Sequence, residues 1–139
     1  VSWLLDTNVL SELRKGARAN PSLMAWFTAA DEQSLFTSVL VVGELRRGIE
    51  LIRRRDGTAA LAIEHWLAGI TDSFADRILP VDRAVAEQWG RLNMPDPVPT
   101  VDGLLAATAM VHGMTLVTRN TRDVARTGAM TLDPTAPAR

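Results

Sequence analysis

Five short segments of strand length recur along this chain, and helical stretches fill every interval between them. Residues 2–6, 34–38, 77–81, 114–118 and 130–132 read as the strands. A short helix over residues 8–15 is closed by Gly16, and Asn20-Pro21 opens a second through Met24, Trp26 and Phe27. A long helix over 39–55 shows Val41, Leu45, Ile49 and Ile52 on one face before Asp56-Gly57 breaks it. Further helices are expected over 59–70, 83–92 and 100–112, the last stopped by Gly113, with a helical turn over 121–125. Strands alternating with helices imply an α/β fold, a parallel sheet of four to five strands sandwiched by helices. In such sheets the ligand site lies beyond the carboxyl ends of the strands.

With 139 residues, 47% hydrophobic and 22% charged, the chain suits one globular domain, expected over residues 1–133, with PTAPAR at 134–139 as a frayed tail. No repeat or interdomain linker interrupts it. No apolar run approaches the roughly 18–20 residues a membrane span needs, and no signal-type segment is visible, so a cytoplasmic location is expected. The lack of cysteine excludes disulfides, thiolate zinc and a cysteine nucleophile. A net charge of −1 excludes a broadly basic sheath for nucleic acid, so a polyanion would need local arginines or bound cations. Lys15 is the only lysine, which disfavours lysine-dependent catalysis.

Acids stand where this architecture places chemistry. In LLDTNVLSEL, Asp6 falls where the first strand turns into a helix, although Thr7 and Asn8 beside it are suited to cap that helix. Glu44 lies early in the long helix within SVLVVGEL, Asp102 in the first turn of TVDGLLAATA, and Asp123 after TLVT and the turn RNTR. Taken singly, Asp102 and Asp123 read as acids favoured at helix starts, and Glu44 as a partner of Arg46 or Arg47. Taken together, all four map to one rim with apolar flanks that suggest partial burial. Packed carboxylates are costly without positive charge between them. A hard divalent cation, Mg²⁺ or Mn²⁺, suits such an all-oxygen set.

Three stretches carry a family likeness: LLDTNVLSEL, SVLVVGELRRGI and VDGLLAATAMVHGMTLVTRNTRDV. In that order the chain resembles the PIN-domain ribonucleases, and among them the VapC/FitB type of toxin from toxin–antitoxin pairs. Val124 departs from the pattern, which commonly has Phe after the last aspartate. The resemblance implies a PIN-like domain that cuts RNA with metal-activated water. It implies Asp6 and Asp102 as the firmest ligands, Glu44 completing the site or positioning the water, and Asp123 acting through a water or second ion. It also implies a cognate antitoxin and a homodimer.

Thr7, Asn8, Ser11, Thr118 and Asn120 are candidate supports, for which ordinary capping and turn roles weigh as heavily. The arginines of the long helix, Trp3, Trp26, Trp66, Trp89, His65 and His112 read as structural. Asp96, in the loop MPDPVP, reads as solvated. Two rivals remain: a PIN-like module that binds RNA or protein without cutting, and an aspartyl phosphotransfer domain, which would want a late lysine.

Overall fold

In the computed structural model, residues 1–136 are described. The strands β1 (Trp3–Leu5), β2 (Leu35–Ser38), β3 (Ile78–Leu79), β4 (Thr115–Val117) and β5 (Thr131–Leu132) form one sheet in the order β3-β2-β1-β4-β5. Every neighbouring pair is parallel; Trp3 aligns with Leu35 on one side and Thr115 on the other. The seven helices among the described residues are α1 (Thr7–Leu13), α2 (Pro21–Ala29), α3 (Val39–Arg53), α4 (Gly57–Phe74), α5 (Arg83–Leu92), α6 (Thr100–Val111) and α7 (Thr121–Ala125).

The central strands are short and apolar because both faces are covered. Leu4, Leu5, Leu116 and Val117 are fully buried with Val9 and Leu10 of α1, Val41 and Ile49 of α3, and Leu105 of α6. Each buried leucine contributes about 1.5–3 kcal/mol relative to exposure. Helix α6 lays Ala106, Ala107 and Ala109, all completely buried, into the core, and such small side chains permit close approach. Among the described residues, no helix is long and apolar enough to cross a membrane.

Most element ends shift by a residue or two from the sequence reading, and three elements carry a physical reason for the change. Helix α4 begins at Gly57, capped by Asp56, and continues past Ile70 to Phe74. The polar Thr71, Asp72 and Ser73 disguise that last turn, yet Phe74 takes the next core position one heptad after Leu67. The third strand shrinks from 77–81 to Ile78–Leu79. Arg77 instead belongs to a 3₁₀ turn, its guanidinium donating to the carbonyls of Glu32, Leu35 and Ser73, while Pro80 has no N–H to continue a ladder. Helix α1 starts at Thr7 with Asp6 as its cap. Of the tail, residues 134–136 turn over Asp133, whose carboxylate accepts from the Thr135 N–H and hydroxyl; residues 137–139 lie outside the described part.

Candidate active site

The sheet order places β1 at the centre, with the chain winding out to β2 and β3 on one side and to β4 and β5 on the other. The crevice beyond the carboxyl ends of β1 and β4 is therefore the topological switch point, the usual ligand position in open α/β sheets. Asp6 occupies it. Its backbone N–H still donates to Val117 at 3.0 Å, extending the pairing with β4, while its side chain has left the sheet.

Asp6 is 7% exposed. Oδ1 accepts from the Thr7 N–H at 2.6 Å and Oδ2 from the Thr118 hydroxyl at 2.8 Å. Burial pushes the Asp6 carboxyl above its ordinary value, opposed by the hydrogen bonds from Thr118 and Thr7 and assisted by the Glu44 charge. Asp102 sits half-buried in the first turn of α6. Its carboxyl is also raised, first by burial and then by the negative charges of Asp6, Asp123 and Glu44. Four acids separated by up to 117 positions thus share one electrostatic neighbourhood, and none of them enters an ion pair among the described residues. Glu44 and Asp123 are exposed, contrary to the partial burial expected of all four. Their neighbours Leu45 and Val124 pack into the core while the acids themselves meet solvent.

Contrary to the capping role that the sequence suggests for them, Thr7 and Asn8 do not cap α1. Asp6 itself accepts the N–H of Thr7, which frees both neighbours for the rim. The Thr7 hydroxyl donates to Oε1 of Glu44 at 2.5 Å, tying α1 to α3. Asn8 donates through Nδ2 to the Thr118 hydroxyl at 3.2 Å and accepts through Oδ1 from the Arg119 N–H at 3.1 Å. The Thr118 hydroxyl accepts from the Asn120 N–H as well, so with one donation and two acceptances its capacity is full. Asn120 contributes through its backbone; Ser11 is half-buried on α1, and among the described residues its side chain makes no hydrogen bond to the acids.

Two further residues belong to this network and escaped the sequence reading. Glu12 is only 7% exposed and accepts from Lys15 Nζ at 2.9 Å, the Asn20 N–H at 3.0 Å and Arg119 Nη1 at 3.3 Å. The Lys15 hydrogen bond leads the interactions that hold its carboxyl below the ordinary range. A carboxylate between Leu10 and Leu13 on an amphipathic helix was the available signal. Arg126 donates to the Pro97 carbonyl at 2.8 Å, linking the α7 end that carries Asp123 to the loop that leads into Asp102.

A PIN-domain model matches residues 3–129. The chain belongs to the PIN-domain family. Its PIN relatives include the VapC ribonuclease Y4jK of Sinorhizobium fredii, 31% identical with 97% of this chain and 99% of that protein covered. Toxin FitB of Neisseria gonorrhoeae is 33% identical, covering 85% and 87%. Among solved structures, FitAB bound to a DNA fragment superposes with a TM-score of 0.88 at 29% identity, covering 99% of this chain and 98% of that one. The crystal structure of FitAcB from Neisseria gonorrhoeae gives 0.86 at 30% identity, covering 95% and 97%.

As the side chains stand, no three acidic or histidine side chains among the described residues converge closely enough to chelate an ion. The negative charges of Asp6, Asp123 and Glu44 in this PIN domain all reach Asp102, and like charges held together favour a cation among them. The donor set still fits a hard divalent cation: it is all oxygen, it repels itself, and among the described residues no arginine or lysine pairs with it. His65 and His112 are exposed and belong to no metal-binding group among the described residues. Trp3 of β1 packs edge-on against Trp26 of α2, with ring centroids 5.4 Å apart.

Proposed function

We propose that this PIN-domain protein is a Mg²⁺- or Mn²⁺-dependent endoribonuclease and the toxin of a toxin–antitoxin pair. The observation that carries the reading is the gathering of Asp6, Glu44, Asp102 and Asp123 beyond the ends of β1 and β4 with none of them in an ion pair among the described residues. Such a cluster is costly on its own and becomes favourable with a divalent cation.

In this reading Asp6 and Asp102 are the principal ligands, Glu44 orients a water, and Asp123 acts at the outer edge. A bound cation would lower the pKa of its water and neutralise negative charge on the phosphoryl oxygens in the transition state. The protein's own work is positional. Thr118 and the Thr7 N–H hold both oxygens of Asp6, Thr7 holds Glu44, and Asn8 keeps Thr118 and the 118–120 turn in register. Such outer contacts commonly change metal affinity or activity by about 10- to 100-fold. The likeness to FitAB, to FitAcB and to Toxin FitB supports a cognate antitoxin as partner; a homodimer is part of the same proposal. An aspartyl phosphotransfer role fits poorly, since the single lysine is paired with Glu12.

The test is cleavage of single-stranded RNA by the wild type, Asp6→Asn and Asp102→Asn, in Mg²⁺, in Mn²⁺ and in EDTA. Cleavage is expected only for the wild type with metal. RNA bound in Mg²⁺ yet recovered intact would instead identify a binding module, and full activity in chelator would refute the metal role.

A further inference from the structure

Four of the five arginines of α3 and its end divide into two pairs that the sequence does not separate. Val41, Leu45 and Ile49 face the core. On one flank, Arg46 and Arg53 both reach Glu64 of α4 and Glu50 of their own helix; Arg53 lies 2.9 Å from Glu64 and 3.0 Å from Glu50. Two arginines and two glutamates there make a neutral clasp between α3 and α4. On the other flank, at 3.6 residues per turn, Glu44, Arg47, Leu51 and Arg54 follow one another. Arg47 and Arg54 are exposed and form no ion pair among the described residues. The natural partner of Arg47 is Glu44 one turn earlier, but Thr7 holds that carboxylate.

We propose that this second flank is a track for the sugar–phosphate backbone of single-stranded RNA, leading to the acidic crevice; it rests on the nuclease reading above. A crevice of four uncompensated carboxylates repels a polyanion, and a chain of net charge −1 has no general attraction to offset that. Positive charge is therefore needed locally, and the stripe begins at a candidate site residue. Arg47 and Arg54 are seven residues apart, about 10 Å along the helix axis, so each guanidinium would take its own phosphate. Leu51, 50% exposed between them, offers an apolar surface to a ribose or base.

The experiment compares two double variants of the full chain that remove equal charge, Arg47→Gln/Arg54→Gln and Arg46→Gln/Arg53→Gln. Binding of a fluorescein-labelled, unstructured 20-nucleotide RNA is followed by anisotropy in EDTA between 50 and 300 mM salt, with melting temperatures alongside. The track variant is expected to bind roughly tenfold more weakly at low salt, with its salt slope reduced by about 1.4 for two lost phosphate contacts, and to melt as the wild type does. The clasp variant is expected to melt lower and keep the slope. Equal losses of RNA affinity in both variants, or none in the track variant, would overturn the proposal. So would a track variant altered only in its self-association, which would make this a protein-contact surface. In Mg²⁺ the track variant should show a raised KM for the 20-mer at unchanged kcat, with cleavage of a trinucleotide unaffected. Wild-type protein that needs the track to bind RNA yet never cuts it would sink the nuclease reading and leave the track standing; cutting with unchanged KM in the track variant would do the reverse.

Discussion

The hydroxyl of Thr118 donates to Oδ2 of Asp6 across 2.8 Å, joining two strand ends that are 112 residues apart in the chain. Thr118 is 1% exposed, so neither partner can turn to water instead. This contact, with the Thr7 N–H on the other oxygen, fixes the orientation of the most buried acid in the crevice.

Replacing Thr118 by Val keeps the shape and removes the donor. A buried carboxylate then loses a hydrogen bond, at a cost of roughly 1–3 kcal/mol. The foremost influence holding the Asp6 carboxyl down is removed as well. Cleavage is expected to fall about 10- to 100-fold, with the acidic limb of the pH–rate profile displaced to higher pH, while Thr118→Ser restores both. A profile unmoved in Thr118→Val would separate Thr118 from the chemistry.

The raised carboxyls of Asp6 and Asp102 make stability depend on pH in a definite direction. In the folded protein both carboxyls are raised above their ordinary value of 3.8, so the folded state binds these protons more tightly than the unfolded chain. The stabilisation from these groups is complete below 3.8 and is lost as pH rises through their folded values. At neutral pH without cations, Asp102→Asn is therefore expected to raise the melting temperature, by about 2–5 °C. Mg²⁺ should stabilise the wild type more than the variant. Melts in EDTA and in Mg²⁺ check this; a less stable variant in EDTA would mean that Asp102 serves α6 chiefly as a favourable first-turn acid.

Gly103, next to Asp102, has no room for a side chain. A Cβ there would stand 2.7 Å from Val98 Cγ2 and 3.2 Å from the Trp89 indole. Val98 is held between two prolines and cannot swing away. Gly103→Ala is expected to cost about 1–3 kcal/mol through overpacking and to lower cleavage by shifting the first turn of α6. Ala at Val98 in the same protein should relieve the clash and recover activity; no recovery would mean the loss has another origin.

Glu12→Gln tests the buried carboxylate of α1. Its carboxyl is held below the ordinary value of 4.5, first of all by the Lys15 hydrogen bond. Its stabilising contribution is thus present above 4.5 and lost as pH falls through the lower folded value. The wild type should melt higher than the variant at pH 7, with the gap closing on acidification. A gap that persists at pH 2–3 would show that shape, not charge, matters at this position.

The strand–helix alternation was readable because it depends on local period: two residues for a strand and 3.6 for a helix are written in consecutive side chains. From those periods came the parallel sheet and the position of Asp6 at a strand end. Local pattern ceased to suffice wherever a distant partner decided the outcome. Thr7 and Asn8 look like caps, yet Glu44 and Thr118, 37 and 110 residues away, claim their side chains and leave the capping to Asp6. Phe74 extends α4 because the core has a place for it. The adjacent arginines Arg46 and Arg47 have the same local chemistry, and only the packing of α4 beside α3 binds one to Glu64 and leaves the other facing solvent. Periodicity is a property of neighbours in sequence, whereas hydrogen-bond choice and charge pairing are settled by neighbours in space.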